Sequence, residues 1–154
     1  MKLDLGCGGC RYKDYTTIDM NPGCKPDIVM NLDTESLVSR FGWNSVDAIY
    51  SGHFLEHSND LIRLLTEMWK VSKPRAMWEI HVPPADEEIG NPFHNRPFTE
   101  WTFRFFESTP RFVHKPSGLV IAYGVTDGSC PVCLKEIKQT RIRGDLGFYL
   151  EVVK

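Results

Sequence analysis

No stretch of this 154-residue chain approaches the roughly 18 consecutive apolar residues of a membrane-crossing helix, and its first residues lack the charged-then-apolar pattern of a secretion signal. A soluble protein of the cytoplasm, with no membrane partner, is the expectation. Long basic blocks are missing too. With a formal net charge of −2, a dominant electrostatic attraction to a nucleic-acid backbone is not indicated. Lys135, Lys138, Arg141 and Arg143 alternate along one segment and read as solvated strand positions. Cysteine is sparse and odd in number: five residues, spaced as Cys7/Cys10 and Cys130/Cys133 with Cys24 left over. Two such pairs could in principle share a zinc ion. The first pair lies in a glycine-rich loop with no ligand-rich flank, so no metal is expected, and free thiols in a reducing compartment fit the odd count. Cys130-Pro131-Val132-Cys133 reads as a turn between strands.

What the chain does have begins at once. The apolar strand Met1 to Leu5 runs into Gly6, Gly8 and Gly9, which let the backbone turn sharply and approach a ligand closely. A second strand, Thr16 to Asn21, brings Asp19 beside that loop, where a carboxylate can accept both hydroxyls of a ribose. The loop continues Cys10-Arg11-Tyr12, so the Gly-Lys-Ser/Thr ending of a phosphate-binding P-loop is absent. Arg11 stands where a dinucleotide site wants its third glycine, and Asp19 comes too soon for the usual intervening helix. Asp4 would repel phosphate. It suits a ligand that carries positive charge, such as the sulfonium and amine of S-adenosylmethionine.

Asp4-Leu5-Gly6-Cys7-Gly8-Gly9, Ile18-Asp19, Asp27-Ile28-Val29, Val46 to Tyr50 and the His53-Phe54-Leu55-Glu56-His57 run follow in that order. This series resembles a class I S-adenosylmethionine-dependent methyltransferase over roughly residues 1–84. The resemblance implies a Rossmann-like, doubly wound, mostly parallel seven-stranded sheet with a C-terminal antiparallel hairpin. It implies S-adenosylmethionine as cofactor and S-adenosylhomocysteine as product. Gly6 and Gly8 would give close backbone approach, Asp4 would meet the methionine end, and Asp19 the ribose. Asn31 would accept from the adenine amine, with Asp33 as the alternative, and Cys7, Met20 and Leu32 would stand beside these groups. Ser51, Gly52 and His53 would line the methionine and methyl region, His53 facing either cofactor or acceptor. Glu56 reads as a structural acid at a helix start. Two departures stand out. The chain starts on its first strand without lid helices, and about ten residues join strands one and two where a helix is usual. A shallow, open pocket is expected, completed by a dimer partner or by the C-terminal half.

The remaining pattern alternates strands and helices in one domain, residues 1–154, with a cofactor half (1–84) and an acceptor half (85–154). Pro26 to Met30 reads as a third strand, then a short helix capped by Thr34 and ended by Gly42. After a strand from Val46 to Ser51, Ser58 or Asn59 caps a helix carrying Leu61, Leu64, Leu65, Met68 and Val71 at helical spacing. Ala76 to Val82 is a fifth strand, and Leu134 to Lys154 two antiparallel strands around the turn Gly144-Asp145. An extra hairpin is one reading of residues 110–129.

Asn91 to Phe106 is the candidate acceptor segment. His94, Arg96 and Trp101 offer a titratable group, an anion-binding fork and a flat apolar face, with His94 as the acid–base residue and Thr99 capping the following helix. Ser51-Gly52-His53-Phe54 stands where DNA amino-methyltransferases carry Asn/Asp-Pro-Pro-aromatic, so a small molecule, sugar, lipid headgroup or protein side chain is the expected acceptor. The rival readings are a nicotinamide-dependent oxidoreductase and a non-catalytic S-adenosylmethionine-binding accessory protein.

Overall fold

The computed structural model describes residues 1–107, 131–142 and 144–154, and the backbone of 112–114 and 119–121. In chain order the strands and α-helices are β1 (Lys2–Leu5), β2 (Thr16–Asp19), β3 (Ile28–Val29), α1 (Leu37–Phe41), β4 (Val46–Gly52), α2 (Leu61–Val71), β5 (Ser72–Val82), α3 (Ala85–Glu88), β6 (Phe112–His114), β7 (Leu119–Ile121), β8 (Leu134–Ile142) and β9 (Asp145–Val152). Seven strands form one sheet in the order β3-β2-β1-β4-β5-β9-β8. The first five run parallel, and β9 and β8 add an antiparallel edge. This is the Rossmann-like, mostly parallel sheet with a terminal hairpin that the resemblance implies. The order reverses between β1 and β4, which opens a crevice beyond their carboxyl ends.

Register explains which face is dry. Leu3, Ile49, Trp78 and Leu150 are paired across β1, β4, β5 and β9 and are all buried. Leu61, Leu64, Leu65, Met68 and Val71, the stripe expected from helical spacing, are the buried side of α2. Each such aliphatic burial stabilises by roughly 1.5–3 kcal/mol. Ser72 locks the helix end to the strand: its hydroxyl donates to the Met68 carbonyl at 2.7 Å and accepts from the Trp78 indole at 2.9 Å.

The opposite row, Asp4, Tyr50, Glu79 and Tyr149, is polar and aromatic. The crossover from β1 to β2 has no helix, as its length predicts, and a tyrosine substitutes for one. Tyr12 stacks on Tyr50 with ring centroids 4.0 Å apart and donates to Glu79 at 3.2 Å. Burial, followed by the charge of Glu79, pushes its phenol up to about 12.

Two helix starts differ from expectation. The cap of α1 is Ser36, whose hydroxyl accepts from the Ser39 amide, because Thr34 is used in a turn closed onto the Asn31 carbonyl. The cap of α2 is Asp60, because Ser58 and Asn59 are tied to the Asp33 carboxylate. Strand β5 starts directly at the helix end, at Ser72, so Lys73-Pro74 sits inside it, and the pairing with β4 slips from Val46–Ser72 to Ala48–Met77, which leaves the extra length in β5. In the C-terminal half, Gly144 turns β8 into β9 with φ +93°. Within residues 110–129 the described backbone contains β6 paired antiparallel with β7. Arg143, Cys130 and the rest of that segment lie outside the described residues. Among those described, no helix is long and apolar enough to cross a membrane.

Candidate functional site

Backbone geometry builds the site first. Gly6 adopts φ +68° and its amide donates to the Ile18 carbonyl at 2.8 Å, so the chain leaves β1 by folding onto the end of β2. A Cβ at Gly6 would lie 2.2 Å from Cγ of Phe54, so only glycine fits. Gly8, at φ +52°, donates to Asp19 Oδ2 at 2.9 Å, and the position of its absent Cβ is open space. The other Asp19 oxygen accepts from the Asn21 amide at 2.8 Å. The carboxylate is thus pinned at the strand end with lone pairs to spare.

Gly6, Gly8 and Asp19 line a cavity of about 290 Å³ together with Met20, Asn31, Leu32 and His53. All seven were named from the sequence. Met30, Asp33, Phe54 and His57 complete the wall. Among the described residues two aspartates and two histidines line it and no lysine or arginine does. Asn31 caps its own turn by accepting from the Asp33 amide at 3.0 Å, while Asp33 is engaged with Ser58 and Asn59.

Four other residues named for the cofactor stand outside this lining. Asp4 is 1% exposed beneath the loop and accepts from the Tyr12 amide at 3.0 Å, which straps the crossover down. Burial raises its carboxyl above the usual range, the Tyr12 bond opposes this, and the Asp19 charge adds to it. Cys7 is buried, with its thiol raised first by burial. Ser51 is fully buried and its hydroxyl has no hydrogen-bond partner among the described residues, and a Cβ at Gly52 would meet the Tyr50 hydroxyl at 2.8 Å.

A second cavity, about 440 Å³, shares His53 and His57 with the first and is bounded on its far side by Glu56, Glu87, His94 and Asp145. His53 closes β4 in a left-handed conformation, φ +52°, with its amide on the His81 carbonyl at 2.9 Å. A non-glycine residue held there is a strained position of the kind found at functional sites. Its ring reaches Asp145 at 3.1 Å and lies 3.7 Å from Glu56. Glu56, 1% exposed in the 3-10 turn Leu55–His57, has no hydrogen-bond partner on either oxygen among the described residues, and burial raises its carboxyl above the usual range. It does not open α2, which begins five residues later.

Among the acceptor candidates, His94 reaches this second cavity, its ring edge-on to His57 with centroids 4.8 Å apart. Arg96 is in the lining of neither cavity, and one nitrogen of its guanidinium donates toward the carbonyls of Ser58 and Asn59 at 3.4 and 3.3 Å. Trp101 is 54% exposed, against the Arg104 guanidinium and away from both cavities. Thr99 accepts from the Trp101 amide at 3.3 Å ahead of a 3-10 turn, Thr102–Phe106. Sequence reading passed over Glu56, His57 and Asp145 as site residues. The compact spacing of His53, Glu56 and His57 was the available signal, whereas nothing local marks Asp145, which arrives from the hairpin turn 92 residues from His53.

Comparison with known proteins bears on the family and the fold. A family model described as a methyltransferase domain matches residues 3–78. No curated protein sequence matches. Solved structures share the fold at low identity. An S-adenosylmethionine-dependent methyltransferase from Aquifex aeolicus superposes with a TM-score of 0.59 at 15% identity, over 99% of this chain and 81% of the other. One from Archaeoglobus fulgidus gives 0.60 at 15%, over 97% and 85%. Phosphoethanolamine N-methyltransferase 1 of Haemonchus contortus, in complex with phosphoethanolamine and S-adenosylhomocysteine, gives 0.65 at 9%, over 99% of this chain and 38% of the other.

Proposed function

We propose that this chain, which belongs to the class I S-adenosylmethionine-dependent methyltransferases, transfers a methyl group to an acceptor bound in the cavity behind His53 and His57. One observation carries the reading: the cavity at the carboxyl ends of the strands holds a ribose-competent carboxylate, Asp19, and neither lysine nor arginine among its described lining residues. Such a wall favours a cationic nucleoside and disfavours a phosphate-bearing one. The residues present fit S-adenosylmethionine. Gly8 leaves room where a Cβ would stand, Asp19 keeps lone pairs for ribose hydroxyls, and Asn31 has an amide at the adenine end. Asp4, buried under the loop, lends negative potential to the side where the amino-acid tail would lie. When bound, the cofactor supplies an electrophilic methyl on a sulfonium.

The protein's part is placement. An in-line transfer gains most from holding the acceptor near the methyl, and the shared wall of His53 and His57 sets that distance. His94 is placed to receive the proton of an acceptor seated in the second cavity, with Glu56 stabilising the resulting cation. A small polar acceptor suits the histidine and carboxylate lining better than an apolar one. His94→Ala is expected to lower turnover at least about 100-fold on an acceptor that must lose a proton, in line with the worth of a general base, while leaving S-adenosylhomocysteine affinity unchanged. Product formation followed by mass spectrometry beside calorimetry of the same variant checks this, and unchanged turnover would remove His94 from the chemistry.

A further inference from the structure

We propose that Glu56, His57 and His94 form a binding site for a divalent transition metal of the zinc type in the wall of the second cavity. One carboxylate oxygen and one nitrogen from each imidazole lie within 4.8 Å of one another, a span that a small shift contracts to the spacing of ligands around one ion. Independent of that proximity is the state of Glu56. It is 1% exposed, neither oxygen has a hydrogen-bond partner among the described residues, and it borders the cavity. A carboxylate buried without a hydrogen bond, with only the His53 ring at 3.7 Å beside one oxygen, is costly, and a cation in the cavity is what would satisfy it.

The histidines are set for the same task. His57 Nδ1 is 2.9 Å from the Phe93 carbonyl, which can only accept, so Nδ1 carries the hydrogen and Nε2 is left with its lone pair. An imidazole oriented by a backbone carbonyl in this way is the usual second layer of a metal-ligating histidine. The Asn91 amide nitrogen lies 3.3 Å from His94 Nε2 and donates to it, so an ion takes that lone pair in place of the Asn91 contact. His53 stands behind Glu56 at 3.7 Å and is itself held by Asp145. Two imidazoles and one carboxylate favour zinc or a neighbouring transition metal over magnesium or calcium, which prefer oxygen alone. Three protein ligands leave a position open toward the cavity. The class of molecule that fills it is one with an anionic oxygen or sulfur. That last identification rests on the methyltransferase reading, since such a group would be the acceptor, and the ion would then ease loss of its proton in place of His94. Binding of the metal does not depend on it.

The test uses the full chain freed of metal with a chelator. Titration with Zn²⁺ by calorimetry, and with Co²⁺ by visible absorption, should give one site per chain. Glu56→Gln and His57→Asn should each weaken it at least about 10-fold, while His81→Ala, which alters a histidine–carboxylate pair elsewhere on the sheet, leaves it unchanged. Circular dichroism confirms that each variant folds. Absence of a site in folded wild-type protein, or affinity indifferent to Glu56→Gln and His57→Asn alike, would overturn the proposal. S-adenosylhomocysteine binding to the same metal-free protein is read separately, so loss of the metal site and loss of the methyltransferase reading are distinct outcomes.

Discussion

Gly6→Ala should lower stability by about 3 kcal/mol and abolish cofactor binding together. Two costs combine. An alanine at φ +68° enters the left-handed region at roughly 1–2 kcal/mol, and its Cβ would lie 2.2 Å from the ring of Phe54, which packs on the core and borders the cavity proposed for the cofactor. Relief requires Phe54 to move, which carries the cavity wall with it. At this chain length the melting temperature should fall by roughly 6–12 °C. Gly8→Ala is the informative partner. Its φ of +52° carries the same backbone cost, but its Cβ meets nothing, so it should lose only about 1–2 kcal/mol of stability while obstructing the space the ligand needs. Thermal unfolding and calorimetry on both variants separate the effects, and equal melting temperatures for the two would refute the role given to the Phe54 contact.

The second large effect is on affinity. Asp19→Ala removes the carboxylate that holds Gly8 and Asn21 at 2.9 and 2.8 Å and that faces the cavity. Hydrogen bonds to a charged group contribute about 1.5–3 kcal/mol each. Loss of the ribose contacts and of the loop's anchor is therefore expected to weaken S-adenosylhomocysteine binding by roughly 100-fold, since 1.4 kcal/mol is a factor of ten. Asp19→Asn keeps one acceptor oxygen and should lose less. If both variants bound as wild type does, the sugar would have to sit elsewhere.

Much of this was readable in the residues. A glycine turn after an apolar strand, and an acid closing the next strand, are local features, and they put Gly6, Gly8 and Asp19 on one cavity. The stripe on α2 was equally plain because helical periodicity is a property of the segment alone. Caps were harder. Ser58 and Asn59 have the right chemistry for a helix start, but Asp33, 25 residues earlier, takes them first. The same holds for Arg96, whose fork looks made for an anion and instead meets backbone carbonyls brought in from residues 58 and 59. Least legible was Glu56. An acid near a helix start suggests a solvated dipole partner, and only the packing of the Leu55–His57 turn places it at 1% exposure among His53, His57 and His94. Burial is a tertiary property, so its consequence for chemistry appears only with the fold.

Methyl transfer from this site requires that a sulfonium nucleoside and its thioether product both fit the cavity lined by Gly6 and Asn31. Titration of the folded wild-type protein with S-adenosylhomocysteine in a calorimeter is the direct measurement. One molecule bound per chain, with affinity lost in Asp19→Ala, is the predicted result. No heat of binding in protein shown to be folded, or preference for a dinucleotide, would contradict it.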